Sequence, residues 1–438
     1  MKRFAAMALC ALLLFACGVS CAQEGALITS TQEVLSLIIA GEYAQVVSRF
    51  DETMAQAVDE AALKDAWNSV TALLGGVTDV AGAQEDAAAH SAALLLTHER
   101  GSTALLLVFD SQGRIAGMSI TPQSAAAQSV ERTLPDGVTA QAAVLFAGTD
   151  RELAGELLIP AGADENTPYA VLVHGSGPSD MNETIGANQP FRDLAYDLSA
   201  QGVGSIRFDK VTYAHPELPV ETVKQEYLEP VQEALAVLRA QTGAQHVYLI
   251  GHSQGGMLAP YLVEGCGFDG GVALAGTPKQ LWEISYAQNL ALLAAMPENP
   301  QHDIQLALIE AERQKALTLA QMTDEIAAAE TVFGVSAVYQ RHLAQMDQAQ
   351  IALKCGKPFL FLWGECDFQV DRAAFDAWHE RLGESERFTY RTYSGLNHLF
   401  MPAGEEDSIL NAQAAYQQPK QVNGQVAKDI AAWLMAQQ

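Results

Sequence analysis

Basic residues are scarce. The 438-residue chain carries 25 Lys+Arg against 52 Asp+Glu, a formal charge of −27. A surface of that sign repels phosphate backbones and anionic head groups, and no Lys/Arg cluster offsets it, so no nucleic-acid partner is expected. Cysteine is nearly absent beyond the first residues. Cys10, Cys17 and Cys21 open the chain, and only Cys266, Cys355 and Cys366 follow. An odd number at no metal-like spacing builds no disulfide framework, although one bridge stays open as a reading. Neither C-x-x-C nor H-E-x-x-H occurs, so no metal is expected, and the serine chemistry read below calls for no cofactor. Internal repeats are lacking too. Disorder is excluded by 49% hydrophobic against 18% charged residues.

A membrane-spanning run is also missing. Met1-Lys2-Arg3 is a short basic opening, residues 4–15 are almost entirely apolar, and Ser20-Cys21-Ala22 puts small residues before Gln23. The apolar run is too short to span and has the parts of a secretory signal peptide over residues 1–22. Leu14-Phe15-Ala16-Cys17 resembles a bacterial lipobox, which makes a lipid anchor at Cys17 the rival reading. Both readings take the chain out of the cytoplasm, as a secreted, periplasmic or membrane-anchored protein.

What is present falls into two parts, as expected of a chain too long for one small core. Residues 24–120 read as a small α+β domain. Apolar residues recur at helical spacing in STQEVLSLIIAGEYAQVVSRF, with Ser30 or Thr31 as cap, and again in DEAALKDAWNSVTALL, so two helices are predicted over 29–75. AALLLTHE, TALLLVF and RIAGMSI read as strands, the last two joined by a DSQG turn. Residues 121–137, small, polar and punctuated by Pro and Gly, read as a linker.

From 138 to 438 the pattern changes. AAVLFAGTDRELAGELLIP is an antiparallel opening hairpin. YAVLVHG, GVGSIRFD, HVYLIGHS, GGVALAGT and PFLFLWGE are continuous apolar runs, the mark of strands buried on both faces. Helical stretches separate them, with Leu228, Val231, Leu235 and Leu238 on one stripe. The fold class is therefore α/β, an open, mostly parallel, doubly wound sheet with ligands expected at the carboxyl ends of its strands. About eighty helix-forming residues separate Thr277 from Pro358, far more than a crossover needs. They are read as a helical cap over about 279–353, whose Leu281, Trp282, Ile284, Tyr286, Leu290, Leu293 and Met296 would leave apolar groups to line a pocket.

In VYLIGHSQGG, residues 247–256, a buried strand ends in Gly-His-Ser-Gln-Gly. A strand that turns tightly into a helix leaves no room for a Cβ two residues either side of the turn. Gly251-x-Ser253-x-Gly255 is thus the pattern of a nucleophile elbow. A serine hydroxyl needs a base. Downstream, His302 and His342 lie in the cap and His379 in the helical AAFDAWHERLG. His398 follows a strand, in a Gly-Leu-Asn-His loop that can reach the elbow, and is the expected base. The acid belongs after the preceding strand, where GECDFQVD offers Glu365, Asp367 and Asp371. Asp367, in the loop itself, is preferred, and an N-cap role explains Asp371. The oxyanion of acyl transfer needs two backbone N–H groups. These are expected from Gln254 and from the loop HGSGPSD, where Ser176 is preferred and Gly177 is next. That Gly-x-Gly is no dinucleotide fingerprint, since Pro178 stands where a helix would start. His174 and His252 are expected to order their loops.

The set HGSGPSDMNETIGANQPFRDLA, RFDK, GHSQGG, GECDFQV and GLNHLFM, in this order over about 150–435, resembles the serine α/β-hydrolases of the bacterial carboxylesterase group, close to those described as serine aminopeptidase-like. The resemblance implies the α/β-hydrolase fold, a triad of Ser253, Asp367 and His398, and an oxyanion hole built partly by the loop after His174. With the leader, the expectation is an exported serine carboxylesterase acting on small-molecule esters through an acyl-enzyme. An aminopeptidase-like peptidase is the enzymatic alternative, and a non-catalytic binding protein the alternative of another class. The chain departs from the pattern at Val211, where a second basic residue is expected after Phe208-Asp209-Lys210, and the role of that corner stays open. The N-terminal layout resembles the cystatin-like or nuclear-transport-factor-like modules that precede some bacterial hydrolases.

Overall fold

The computed structural model describes residues 25–86, 90–110, 112–123, 129–296, 302–405 and 407–437. The leader, with both of its readings and Cys17, lies outside them. Two compact units result, one holding the described residues up to 123 and the other those from 129.

In the first unit, helices Ala26–Ala40, Tyr43–Val47, Glu52–Ala57 and Glu60–Leu74 lead into a meander of β1 (Val77–Asp86), β2 (Ser91–His98), β3 (Gly101–Phe109) and β4 (Ile115–Gln123). The first predicted helix is broken because Gly41 adopts the left-handed conformation and terminates it. It also begins earlier than read: Ser30 and Thr31 lie inside it, and the Thr31 hydroxyl donates back to Leu27 O at 2.8 Å. Asp51 and Asp59 cap the two helices that follow, accepting from the N–H of Met54 and Ala62. β2 and β3 alternate in burial, so Leu94, Leu96, Leu105 and Leu107 share a core with Ile38, Val46 and Trp67. β1 is not legible in the sequence. VTDVAGAQED has few β-formers, and its ladder with β2 is what orders it as an edge strand. β4 runs through Gln123, into the stretch expected to be linker, because its pairing with β3 extends to Ser102 opposite Gln123.

Described residues from 129 to 137 of that stretch pack on the sheet that follows. Leu134 and Val138 pack on the second unit's core, and Arg192 donates to Val130 O at 2.9 Å. This unit is built on an eight-stranded sheet. Its strands are β5 (Thr139–Leu145), β6 (Leu153–Ile159), β7 (Tyr169–Val173), β8 (Gly204–Phe208), β9 (Val247–His252), β10 (Gly271–Leu274), β13 (Phe359–Gly364) and β14 (Phe388–Tyr393); the short cap strands β11 (Thr331–Val332) and β12 (Val335–Ser336) form a separate hairpin. The order is β14-β13-β10-β9-β7-β8-β6-β5, parallel from β14 to β8 and antiparallel at β6 and β5. Alternate side chains enter two cores. Tyr169, Val171 and Val173 of β7 face one, and Ala170 and Leu172 the other; β9 and β13 divide the same way. Helices Glu229–Thr242, Ala259–Cys266 and Arg372–Leu382 cover the first face, and Pro190–Ala200 and Gly424–Ala436 the second.

The apolar stripe read in 221–241 is interrupted. Lys224–Leu228 is a π-helical turn in which the Glu229 N–H bonds to Lys224 O, just ahead of Pro230, which has no N–H to give. The extra residue turns Glu226 and Tyr227 inward and leaves Leu228 half-buried.

Between β10 and β13 the insertion folds as helices Leu281–Ala295, His302–Leu317 and Asp324–Ala329, the β11–β12 hairpin and helix Ala337–Ala344. Leu293, Ile309, Ala327, Val332 and Phe333 give this cap a core of its own. Helix Ala337–Ala344 joins the two cores, with Ala337 in the cap's and Tyr339 and Leu343 in the main one, whereas the buried Ala349 and Ala352 of helix Gln348–Cys355 lie in the main core, so the cap ends sooner than 353. Among the described residues no helix is long and apolar enough to cross a membrane. Cys266, Cys355 and Cys366 are free thiols, so the bridge left open does not form among them.

Candidate active site

The elbow after β9 is strained. Ser253 sits at φ 50, ψ −113, a region that residues with a Cβ rarely occupy. Its N–H donates to Leu274 O and its carbonyl accepts from Met257 N, both at 2.8 Å. The glycines around it are sterically required. A Cβ on Gly251 would lie 2.2 Å from Gly255 O, and one on Gly255 2.3 Å from Val173 O. Gly256, not singled out by the spacing, is held to the same rule by Leu274 O at 2.9 Å.

Loops after β13 and β14 meet at this edge. His398 Nδ1 lies 2.7 Å from Asp367 Oδ2, and both residues are buried. Asp367 Oδ1 accepts from the N–H of Gln369 (2.8 Å) and Val370 (2.9 Å), which fixes the carboxylate's orientation. Glu365 points elsewhere; it is exposed and accepts from the Thr392 hydroxyl. Asp371 caps Arg372–Leu382 through Ala374 N, and exposed His379 pairs with Glu384. His398 is tied to the elbow from behind: its carbonyl lies 3.0 Å from His252 Nε2, and the two rings are 4.8 Å apart.

Glu183 is a site residue that the sequence hid. It is buried in the loop after β7, where its Oε1 accepts from Gly175 N–H at 2.7 Å and meets His252 Nδ1 at 3.0 Å. Burial alone would discharge both partners, but their mutual charge prevails, holding the Glu183 carboxyl below and the His252 imidazole above their ordinary values. His174 has no such support. Burial, reinforced by nearby Lys210 and only partly opposed by Glu183, pushes it down to about 4, and its Nε2–H donates to Asp180 O at 2.9 Å. Both histidines order their loops.

The Gly175 amide is thus occupied. The amide of exposed Ser176 has no acceptor among the described residues, and Gln254 N–H, at the start of helix Gln254–Met257, lacks an intrahelical one. Lys210 now has a place. Its Nζ donates to Gly175 O at 2.8 Å and to Gly177 O at 3.0 Å, so the Asp209-Lys210 corner braces this loop without a second basic residue.

Beside the Asp367 loop, a cleft of about 330 Å³ opens under helix Leu281–Ala295. Trp282, Ile284, Tyr286 and Phe368 line it together with Lys279, Glu283 and Arg313, so this cleft is amphipathic, and neither Ser253 nor His398 is among its lining residues. Among the described residues no cluster of His, Cys, Asp or Glu is placed to hold a metal ion.

Sheet order, the capped insertion after β10 and the strained serine together define the α/β-hydrolase fold. The chain belongs to the alpha/beta hydrolase family, whose profile matches residues 170–408. Esterase EstD of Thermotoga maritima is 32% identical over 381 residues, spanning 85% of this chain and 87% of EstD. Among solved structures, Est1E from Butyrivibrio proteoclasticus is similar at 16% identity, covering 68% of this chain and 98% of that one with a TM-score of 0.44. An esterase of Pyrococcus furiosus is similar at 12% identity, covering 70% and 96%, with a TM-score of 0.42.

Proposed function

We propose that the protein is an exported serine carboxylesterase with Ser253 as nucleophile, His398 as general base and acid, and Asp367 as orienting carboxylate. The observation that carries this reading is the 2.7 Å pair of His398 and Asp367 at the sheet edge where the strained Ser253 turns. Similarity to EstD favours esters over other hydrolysable bonds.

Ser253 Oγ attacks the ester carbonyl carbon while its proton passes to His398 Nε2. Asp367 keeps the other proton on Nδ1 and stabilises the imidazolium. The carbonyl oxygen, negative in the tetrahedral intermediate, accepts from the amides of Gln254 and Ser176. His398 returns its proton to the departing alkoxide, then deprotonates the water that releases the acid and restores Ser253. Esters of small or medium acyl groups are the expected substrates.

The test is turnover of short p-nitrophenyl esters and amino-acid p-nitroanilides by purified protein. Esters are expected to react faster, and Ser253→Ala to lower kcat by about 10⁴-fold or more with the fold intact. Faster anilides would make it a peptidase; equally slow hydrolysis of every tested ester by wild type and Ser253→Ala would make it a binding protein. Export, to the periplasm or beyond or onto a membrane through Cys17, rests on the leader. Cell fractionation with mass determination of the mature N-terminus checks it.

A further inference from the structure

Four buried polar side chains stand beside the elbow and take no part in these steps. Besides the two loop carbonyls, the Lys210 ammonium reaches the Tyr227 hydroxyl and a Glu226 oxygen, each at 2.8 Å. Tyr227 Oη in turn donates to Gly175 O at 2.7 Å. The second Glu226 oxygen accepts from Tyr339 Oη, and that hydroxyl accepts from the side-chain Nε2 of Gln254 at 2.9 Å. A buried ammonium–carboxylate pair is a poor stabiliser, since apolar side chains of the same volume do as well or better. What the cluster holds explains it better.

It holds both segments that carry the oxyanion donors. A trans peptide points its C=O and the next N–H in opposite directions, and among the described residues no peptide is cis. With Gly175 C=O gripped by Lys210 and Tyr227, the Ser176 N–H faces away from the cluster. Gly177 N–H belongs to a different peptide plane, whose carbonyl is that of Ser176, so the grip selects Ser176. At the other end Gln254 is held by its side chain. The path Gln254–Tyr339–Glu226–Lys210–Gly175 is continuous. Its link from the cap is Tyr339, on helix Ala337–Ala344, and Glu226 enters it because of the π-turn.

We propose that Tyr339 is a positioning residue through which the cap sets the spacing of the two oxyanion donors, so that transition-state stabilisation depends on the cap's place. The inference rests on the esterase reading of Ser253. Tyr339→Phe removes one oxygen and keeps the ring. Its kcat on p-nitrophenyl butyrate is expected to fall about 10- to 100-fold, less than the loss of a donor outright, with KM within about twofold. Affinity for an alkyl trifluoromethyl ketone, whose serine adduct fills the oxyanion hole, should fall in step with kcat/KM. Glu226→Gln, which retains the shape but not the charge opposite Lys210, carries the same expectation should Tyr339→Phe not fold. The double variant should lose no more than the worse single, because both cut one path. Unchanged kcat and ketone affinity in a folded variant, a rise in KM alone, or additive losses would overturn the proposal. Wild-type ester turnover indifferent to Ser253→Ala would instead overturn the esterase reading, so the two failures are told apart.

Discussion

Two buried histidines at the elbow are driven in opposite directions, and the difference has a pH signature. His174 stays neutral when folded down to about 4, whereas its unfolded value is near 6.5. Between those values the unfolded chain binds a proton that the folded chain refuses, so stability falls as pH drops through the window, by on the order of 3 kcal/mol. His252, raised, acts the other way: it stabilises below its unfolded value, and that stabilisation is lost as pH rises through the folded one. Glu183, lowered, stabilises above its unfolded value and loses this contribution as pH falls. His174→Gln, whose amide nitrogen takes the place of Nε2, can still donate to Asp180 O. Its denaturation midpoint should decline less between pH 6.5 and 4 than that of the parent chain. A second prediction separates the three acidic neighbours. Asp367→Asn should lower kcat by about 10⁴-fold, since the imidazole tautomer is lost, while Glu365→Gln and Asp371→Asn should stay within about threefold. Steady-state kinetics of the three variants decides this.

At the scale of elements, steric room explains which glycines matter. Gly255 lies in helix Gln254–Met257 and Gly267 just past the end of Ala259–Cys266, yet a Cβ on Gly267 meets nothing within 4 Å despite its φ of +73. Gly267→Ala should therefore cost only about 1 kcal/mol of left-handed strain. Gly255→Ala drives a methyl into Val173 O and should lower both the melting temperature and the activity, the latter by more than tenfold. Thermal unfolding and ester turnover of the pair check the contrast. The cap is a folded element with its own core, and its first helix roofs the amphipathic cleft. A chain-length series of esters should show a sharp preference for short acyl groups in the intact protein, blurred by cap deletion; an unchanged profile would remove the cap from specificity.

For the whole molecule, each unit has its own core, so residues 129–438 should fold alone and keep kcat/KM on p-nitrophenyl acetate within about threefold. Loss of cooperative unfolding in that fragment would count against it. The net charge of −27 acts over the full surface, and passage of the purified protein through a heparin column at low salt without retention is expected.

The fold was legible because its signals are local. Continuous apolar runs mark two-faced strands, helical stripes separate them, and the spacing of Gly251, Ser253 and Gly255 marks a tight turn, although the contact that excludes a Cβ at Gly255 comes from Val173 on a neighbouring strand. The candidate acid and base could be read from their places after consecutive strands, since chain order in an open sheet sets which loops share an edge. Tertiary structure alone decided the rest. Glu183 lies 69 residues from His252, and Glu226 lies 113 from Tyr339, so no periodicity connects them. The π-turn that aims Glu226 inward, the edge strand β1 and the mixed lining of the cleft depend likewise on what packs opposite. A residue's own neighbours in sequence dictate backbone shape; which buried charges face each other is fixed only when distant segments meet and each must find a partner.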